Sequence, residues 1–247
     1  MPSSKQLLVT IATYNERENL PSLVERLFEV VPGADLLVVD DNSPDGTGRW
    51  VAQQAAVDRR VACLHRPAKL GLGSAVVEAL AYAVAHEYAY VVTLDADGSH
   101  DPREIPQMVA RMCHGTAAPP DVVIGSRYVR GGSAVGWPRH RRVMSWAVNV
   151  LARLMLGVPV HDCSGAFRCM RVSLLRRVDL TLIRSQGYAC LEELLWRFRQ
   201  AGARFEEVPI VFVNRQCGMS KITARECVVA VWTLLRVGVP NWLRLRT

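Results

Sequence analysis

Apolar runs that alternate with helical patterns constrain the fold of this chain more than any other feature. The runs with the length and composition of buried strands are 7–13, 35–41, 61–65, 90–95 and 121–128. The segments between them predict helices over 19–31, 46–56, 73–86 and 102–112. Strands that are apolar on both faces and are separated by helices indicate a parallel sheet covered on both sides. We therefore predict an α/β fold with a mostly parallel sheet and helices on both faces.

The second half of the chain has a different pattern. Two segments, 143–157 and 226–237, predict helices that are apolar almost all round, and a third helix is predicted over 187–201. A strand predicted over 206–215 contains Pro209, which favours the edge of a sheet. Arginines and tryptophans flank both apolar helices, so two alternatives remain open: ordinary core, or a face that lies on a membrane. No run of about 18 apolar residues occurs, so no transmembrane helix is expected.

The charge is divided unevenly along the chain. Residues 1–122 carry a net charge of −6 and residues 123–247 a net charge of +13, which gives the overall value of +7. Several arginines stand in short clusters, for example RHRR at 139–142. A basic half favours anionic partners, and polyphosphates, nucleic acids and acidic membrane surfaces all fit this description.

Cysteine usage and the first residues indicate the compartment. The seven cysteines include no CxxC pair, which is typical of reduced thiols in a cytosolic protein. The N-terminus lacks the long apolar region and cleavage site of a signal peptide, and its apolar residues are better interpreted as the first strand. We therefore expect a cytoplasmic protein.

Two carboxylates follow the fourth predicted strand in VVTLDADGSHDP, residues 91–102. In extended backbone, Asp95 and Asp97 point to the same side and would repel each other unless a cation lies between them. Hard oxygen ligands of this kind suit Mg²⁺ or Mn²⁺. The alternative is a solvated, Asp-rich turn in which Gly98 and Pro102 break the chain. This stretch alone favours neither.

Polar groups also follow the other strands, and the ends of parallel strands are where such sheets bind ligands. In chain order the motifs are ATYNE (12–16), VVDDNSPDGT (38–47), KLGLGSA (69–75), DADGSH (95–100) and GSRY (125–128). With these, the chain resembles inverting family-2 glycosyltransferases of the GT-A fold. The later motifs are RRVMS (141–145), HDCSGAFR (161–168), GYACLEE (187–193) and EVPIVFVNRQCGMSK (207–221). The whole set is similar to the catalytic subunits of dolichyl-phosphate (polyprenyl-phosphate) mannose synthases, over residues 7–235.

The resemblance implies roles for individual residues. The residues implied to contact the nucleoside end of the donor are Ala12, Tyr14, Glu16, Val39 and Asp41. At position 12, alanine replaces the family's usual proline. Those implied at the diphosphate and its metal are Asp95, Ala96, Asp97 and Ser99, with Asp95, Asp97 and Ser99 as metal ligands. Positive residues implied around the phosphates are Arg127, Arg215 and Lys221, and a pair implied to face the acceptor phosphate is Arg141 and Ser145. The implied catalytic group is Asp97, Arg127, Arg141 and Ser145.

The same resemblance implies an activity: transfer of mannose from GDP-mannose to dolichyl or polyprenyl phosphate, with inversion and with Mg²⁺ or Mn²⁺ as cofactor. Such an acceptor is already anionic near neutral pH, so no strong general base is expected. The implied organisation is a single domain, 1–247, with a nucleotide-sugar half (1–128) and an acceptor and membrane half (129–247). C-terminal amphipathic helices, or a small transmembrane partner subunit, would hold it peripherally on the cytoplasmic face of a membrane, and no nucleic-acid partner is expected.

Three other functions compete with this one. A sister transferase would use UDP-glucose or another nucleotide sugar on the same lipid. A phosphohydrolase with Asp95 as nucleophile would need its first aspartate on the first strand and a downstream lysine and acidic pair, which the sequence lacks. A non-catalytic docking subunit is disfavoured by the intact charged residues of the implied site.

Overall fold

The structure is a computed structural model that describes residues 6–113, 118–185 and 187–214. Its strands are β1 (Leu7–Thr13), β2 (Asp35–Asp40), β3 (Val61–His65), β4 (Tyr90–Asp95), β5 (Val122–Ser126), β6 (Ser133–Val135), β7 (Arg168–Arg171), β8 (Phe205–Pro209) and β9 (Val211–Val213). Its helices are α1 (Leu20–Val30), α2 (Thr47–Val57), α3 (Leu72–Ala85), α4 (Ile105–Cys113), α5 (Arg139–Leu156), α6 (Val172–Leu175) and α7 (Ala189–Gln200). Short 3₁₀ turns span Pro102–Glu104 and Leu180–Leu182.

The main sheet has the strand order β3-β2-β1-β4-β7-β5-β8. The pairs β3-β2, β2-β1, β1-β4 and β5-β8 are parallel, whereas β7 runs antiparallel to both of its neighbours, β4 and β5. The predicted α/β fold with a mostly parallel sheet is confirmed. Because β1, β2, β4 and β5 run in the same direction, the loops that follow them meet at one edge of the sheet.

Alternate residues of the strands enter two cores, one on each face of the sheet. In β2, Leu37 and Val39 belong to the core that includes α3 and α7, whereas Leu36 and Val38 belong to the core that includes α1 and α4. All four side chains are fully buried. The two apolar faces explain why this strand has no polar alternation in the sequence.

Most boundaries of the predicted elements lie within two residues of those predicted. Strands β6 and β7 and the short helix α6 were not predicted at all. The strand predicted over 206–215 divides at Ile210 into β8, which is an edge strand as expected, and β9, which pairs with β6. The Ile210 N–H still donates to the Ser126 carbonyl at 3.1 Å, so the missing N–H of Pro209 costs no bond to β5, as expected on an edge strand. Helix α5 begins at Arg139, four residues early, because Pro138 supplies an extended residue directly before it.

Helix α5 is buried on one side only. Asn149, Ala152 and Leu156 of α5 are buried, whereas Trp146 is 57% exposed and Leu154 64% exposed. The core interpretation therefore holds for the buried side alone, and the membrane interpretation of the exposed side stays a prediction. The second apolar helix, 226–237, lies outside the described residues, as do Arg215 and Lys221. Within the described part of the chain, no helix has the length and hydropathy needed to cross a bilayer.

Candidate active site

The loops after β1 and β2 are joined to each other by hydrogen bonds from backbone to side chain. The backbone N–H groups of Asn15 and Glu16 donate to Ser43 Oγ and Thr47 Oγ1, both at 3.0 Å. Asn15 takes a left-handed conformation with φ of 58°, which turns the chain sharply at the end of the strand. The joined loops hold Tyr14 at the sheet edge.

Asp41 fixes the loop that precedes α3. One carboxylate oxygen accepts a hydrogen bond from the Gly71 N–H at 2.7 Å, and the other forms an ion pair with the buried Arg66. The same loop brings the Lys69 ammonium to 3.9 Å from the centre of the Tyr14 ring, within the range of a cation–π contact. Asp41 thus holds the loop that brings Lys69 to Tyr14, and its contact with a nucleoside stays a prediction.

The strand register places other predicted nucleotide residues side by side. Ala12, at the end of β1, lies opposite Val39 in β2 and opposite Asp95 in β4. Ala12 is partly exposed, but the side chains of Val39 and Ala96 are buried. Those two residues therefore present no side-chain surface to a ligand in this structure.

The turn after β4 is closed by its own polar groups. Asp97 Oδ1 accepts a hydrogen bond from the Ser99 N–H at 3.0 Å, and the Asp95 N–H donates to His100 Nδ1 at 3.1 Å. Gly98, which lies between Asp97 and Ser99, has a φ of 72°, a conformation that glycine adopts without strain. The turn thus carries both carboxylates and the Ser99 hydroxyl in six residues.

This turn offers a donor set that fits a divalent cation. The Ser99 hydroxyl is buried and has no hydrogen-bond partner among the described residues, which a cation or its bound water would provide. Two carboxylates and a hydroxyl are the hard oxygen ligands that Mg²⁺ and Mn²⁺ prefer. Across residues 6–113, 118–185 and 187–214, no cluster of three or more His, Cys, Asp or Glu side chains is arranged to hold a metal. The remaining ligands would therefore come from water or substrate phosphate.

His100 is a packed, neutral residue rather than a base. Burial lowers the pKa of His100 to about 4, so the ring is uncharged near neutral pH. Since Nδ1 accepts from the Asp95 N–H, the neutral ring is assigned its proton on Nε2. The ring stacks on Phe167 at 5.0 Å and meets the edge of Phe212 at 5.3 Å.

Arg127, at the end of β5, is held by a carboxylate that sequence reasoning did not assign. Its Nε and Nη2 donate to the two Asp162 oxygens at 2.7 and 2.6 Å, and its backbone N–H donates to Asp162 at 3.0 Å. Burial alone would lower the pKa of Arg127, but the charge and hydrogen bonds of Asp162 outweigh it and raise that pKa. Burial likewise opposes ionisation of Asp162, yet Arg127 lowers its pKa. Both groups are therefore charged, in a bidentate pair that fixes the guanidinium plane.

Asn149 connects this ion pair to α5. Its Oδ1 accepts hydrogen bonds from the Cys163 and Ser164 N–H groups at 2.7 and 3.1 Å. Its Nδ2 donates to Ser164 Oγ at 3.1 Å, and that hydroxyl also accepts from Arg127 Nη2 at 2.9 Å. The one polar residue on the buried side of α5 thus fixes the helix beside Arg127.

The two residues predicted at the acceptor phosphate lie on the first turns of α5. Ser145 Oγ accepts a hydrogen bond from the Tyr128 hydroxyl at 2.6 Å. Arg141 Nη1 donates to Asn214 Oδ1 at 3.3 Å, and its Cζ lies 4.3 Å from the centre of the Trp137 ring. A cavity of about 340 Å³ opens beside them, lined by Arg127, Tyr128, Gly132, Ser133, Ala134, Val135, Trp137 and Arg142. Two guanidinium groups in its wall suit an anionic ligand.

The structure brings most of the predicted residues to one edge of the sheet, where the loops after β1, β2, β4 and β5 meet. Arg215 and Lys221 are outside the described residues, so their positions stay predictions. Asp162, Asn149 and Trp137 were not assigned from the sequence. The available signal was their place in or beside motifs: Asp162 in HDCSGAFR, and the other two within four residues of RRVMS.

Comparison with known proteins gives a match over much of the chain. Residues 8–179 match the family model described as glycosyl transferase family 2. The chain is 42% identical to the undecaprenyl-phosphate mannosyltransferase of Micrococcus luteus over 98% of each chain. It is 39% identical to the polyprenol monophosphomannose synthase of Mycolicibacterium smegmatis, over 96% of this chain and 88% of that protein.

Solved structures agree on the fold. Glucosyl-3-phosphoglycerate synthase from Mycobacterium tuberculosis, in complex with Mn²⁺ and UDP-glucose, superposes with a TM-score of 0.68. The match covers 95% of this chain and 79% of that one at 20% sequence identity. At this identity the likeness shows the fold alone, and the GT-A fold expected from the motifs is confirmed.

Proposed function

Because the chain belongs to glycosyl transferase family 2, we propose that it transfers mannose from GDP-mannose to a dolichyl or other polyprenyl phosphate, with inversion to a β-linked product. The observation that carries the proposal is the meeting, at one sheet edge, of the acidic turn at Asp95 and Asp97 with the basic group at Arg127 and Arg141. The two relatives named as lipid-phosphate mannosyl enzymes support the choice of sugar and acceptor.

On the donor side, the joined loops after β1 and β2 bind the nucleoside. Tyr14 and Glu16 are presented by these loops, and Asp41 stands beside them with its carboxylate oriented by Arg66 and the Gly71 N–H. Because these contacts are made within the protein, the nucleoside pocket is organised before the donor arrives, which reduces the ordering cost of binding.

At the diphosphate, Asp95, Asp97 and Ser99 would hold Mg²⁺ or Mn²⁺. A cation there supplies positive charge to the diphosphate as the sugar leaves it. Arg127 adds a fixed positive charge, since its pairing with Asp162 keeps it ionised and in one orientation. Charge that is held in place before reaction costs no reorganisation in the transition state. We include Arg215 and Lys221 in this group as predictions from the motifs.

The acceptor needs orientation more than deprotonation, because a phosphate monoester has a second pKa of about 6. Arg141 binds the acceptor phosphate, and Ser145 donates to it from the next turn of α5. Tyr128 holds the Ser145 hydroxyl in place. Attack from this side, opposite the departing GDP, inverts the α-linked donor.

The lipid acceptor places the enzyme at a membrane. We propose a peripheral position on the cytoplasmic face, with the exposed apolar side of α5 on the bilayer and the arginines at its start near anionic headgroups. A small transmembrane partner subunit would be a second means of attachment.

A donor panel tests the proposal. Purified enzyme is incubated with polyprenyl phosphate and, in turn, radiolabelled GDP-mannose, UDP-glucose and GDP-glucose, each with Mn²⁺, with Mg²⁺ and with EDTA. We expect transfer from GDP-mannose with either metal and none with EDTA.

Asp97→Asn should lose at least about 100-fold in kcat, the size of effect found when one charge-stabilising group is removed. GDP with Mn²⁺ should also raise the melting temperature of the parent but not of the variant. Faster turnover of UDP-glucose, or full activity in EDTA, would contradict the proposal.

A further inference from the structure

Trp137 lies between two guanidinium groups of the site. It occupies the short link between β6 and α5 and is 7% exposed. The centre of its ring is 4.3 Å from Arg141 Cζ and 5.3 Å from Arg127 Cζ. Both distances fall within the range of cation–π contacts, and the contact with Arg141 is the closer one.

The plane of the indole is fixed by Phe212 of β9. The two rings meet edge to face, with centroids 5.3 Å apart and planes at 66°. Phe212 also packs against His100, whose Nδ1 accepts the Asp95 N–H. Trp137 is therefore packed against a residue of another strand, which in turn contacts the turn after β4.

Stacking and phosphate binding use different parts of a guanidinium group. A guanidinium group that stacks on an indole presents its flat face to the ring, whereas a phosphate is bound by the N–H groups at its edge, in the guanidinium plane. A ring that fixes this plane therefore also fixes the direction from which a phosphate is bound. Arg127 is oriented by Asp162, whereas the Arg141 guanidinium lies over the electron-rich ring face of Trp137.

We propose that Trp137 is a positioning residue for the acceptor phosphate, which it orders by holding the Arg141 guanidinium flat on its indole face. The inference rests on the proposed function for the identity of the acceptor, and it assigns a residue beyond it. Arg127, on the donor side, is held by Asp162 independently of the ring, so weakening the ring should change acceptor affinity and leave donor affinity nearly unchanged.

The electronic character of the ring can be changed without changing its shape. Tryptophan analogues with one, two, three and four ring fluorines are placed at position 137 alone, because each fluorine withdraws charge from the face and weakens cation–π attraction. We expect the KM for polyprenyl phosphate to rise stepwise, by about fivefold to thirtyfold in total for a partly desolvated contact. The KM for GDP-mannose should change less than about twofold, and the melting temperature should stay constant.

Trp196 provides the matched control. It also stacks with an arginine, Arg197, at 5.5 Å, and its indole N–H, like that of Trp137, has no partner among the described residues. It lies on α7, away from the acceptor cavity. The same analogue series at position 196 should leave both KM values unchanged. Trp137→Phe, which keeps a smaller aromatic face, should give a KM between those of the parent and the tetrafluoro protein.

The binding of geranyl phosphate, measured by calorimetry without donor, separates this inference from the proposed function. If the parent transfers no mannose, the proposed function fails, yet stepwise loss of geranyl phosphate affinity across the series still supports the role of Trp137. A flat series at position 137, or an equal effect at position 196, overturns that role whatever sugar the enzyme transfers.

Discussion

Two buried carboxyl groups, Asp162 and Glu192, differ in protonation state near neutral pH, because their hydrogen-bond partners differ. Asp162 is fully buried but accepts four hydrogen bonds, three from Arg127 and one from the Gly165 N–H, and its pKa is lowered. Glu192 is also buried, and its Oε2 has no partner among the described residues. Burial raises the pKa of Glu192 to about 8, against the opposing charge of Arg168. Glu192 is therefore mainly protonated at pH 7.

We predict that Glu192→Gln stabilises the protein increasingly as the pH rises. Between the ordinary value of about 4.5 and the folded value of about 8, the native state keeps a proton that the unfolded state has lost. The free energy of unfolding of the parent therefore falls as pH increases over this range, by at most about 1.4 kcal/mol per unit. Glutamine is neutral throughout and removes this slope.

Urea unfolding at pH 5.5, 6.5 and 7.5 measures the effect. The gap between Glu192→Gln and the parent should widen with each step. Glu29→Gln, a matched change at an exposed position, should keep a constant gap. A gap for Glu192→Gln that does not vary with pH would mean that this carboxyl is ionised in the native state.

The residues at strand ends could be predicted because local sequence is enough to find them. A polar group directly after an apolar run lies at the sheet edge whatever the rest of the chain does, which is why Asp41, Asp95 and Arg127 were found. Asp162 could not be found in this way, because it follows no strand. Its role depends on a contact with a residue 35 positions away, which only the folded chain creates.

Among the elements, α5 has the most unusual surface. Its apolar side chains Val143, Met144, Trp146 and Leu154 are more than half exposed, whereas its buried side carries the polar Asn149. Basic residues cluster at its N-terminal end, Arg139 to Arg142. An exposed apolar surface with a basic border is typical of a helix that lies in a membrane interface.

We predict that Trp146→Ser and Leu154→Ser weaken vesicle binding by about tenfold each, because each removes apolar surface worth roughly 1.5–3 kcal/mol when fully buried and less when partly inserted. Co-sedimentation with vesicles containing anionic lipid, across a salt series, is the measurement.

Salt should weaken binding of all forms, since it screens the basic residues beyond a Debye length of about 8 Å. Val57→Ser, a change of an exposed residue on α2, is the control. Binding that both substitutions leave intact would exclude α5 as the contact. We expect Trp232→Ser, in the second apolar segment, to weaken vesicle binding as well, although Trp232 lies outside the described residues.

Helices were predicted to within a few residues because their apolar periodicity is long and is bounded by proline or glycine. Strand β7 was missed because it has only four residues, two of them arginines. Its strand conformation comes from pairing with β4 and β5, which only the folded chain brings beside it. Arg168 is fully buried there and donates to the Cys163, Gly165 and Leu191 carbonyls. Such a residue looks exposed in a sequence, because arginine is seldom buried without partners.

At the scale of the whole molecule, the two predicted halves share one sheet. Strand β7, from residues 129–247, lies between β4 and β5, both from residues 1–128. Without β7, the facing edges of β4 and β5 would have unpaired backbone groups. We propose that the two halves form one cooperative folding unit.

We predict that residues 1–128, expressed alone, do not fold. The fragment should lack a cooperative urea transition and should aggregate at micromolar concentration, because its open strand edges and apolar faces are exposed. Circular dichroism and urea titration of the fragment beside the full chain provide the test. A soluble fragment with a sharp transition would show that the nucleotide-sugar half is an independent domain.

The position of β7 also has a consequence for folding during synthesis on the ribosome. A ribosome delivers β4 and β5 before the strand that must separate them, and about 40 residues remain to be made between the end of β5 and β7. At typical synthesis rates of about 5–20 residues per second, the gap lasts roughly 2–8 seconds. During that time the nascent chain contains β4 and β5 without the strand that must pair with both, so their apolar segments stay exposed. Chaperones that recognise extended apolar segments therefore have a defined interval in which to act, and slower translation would lengthen it.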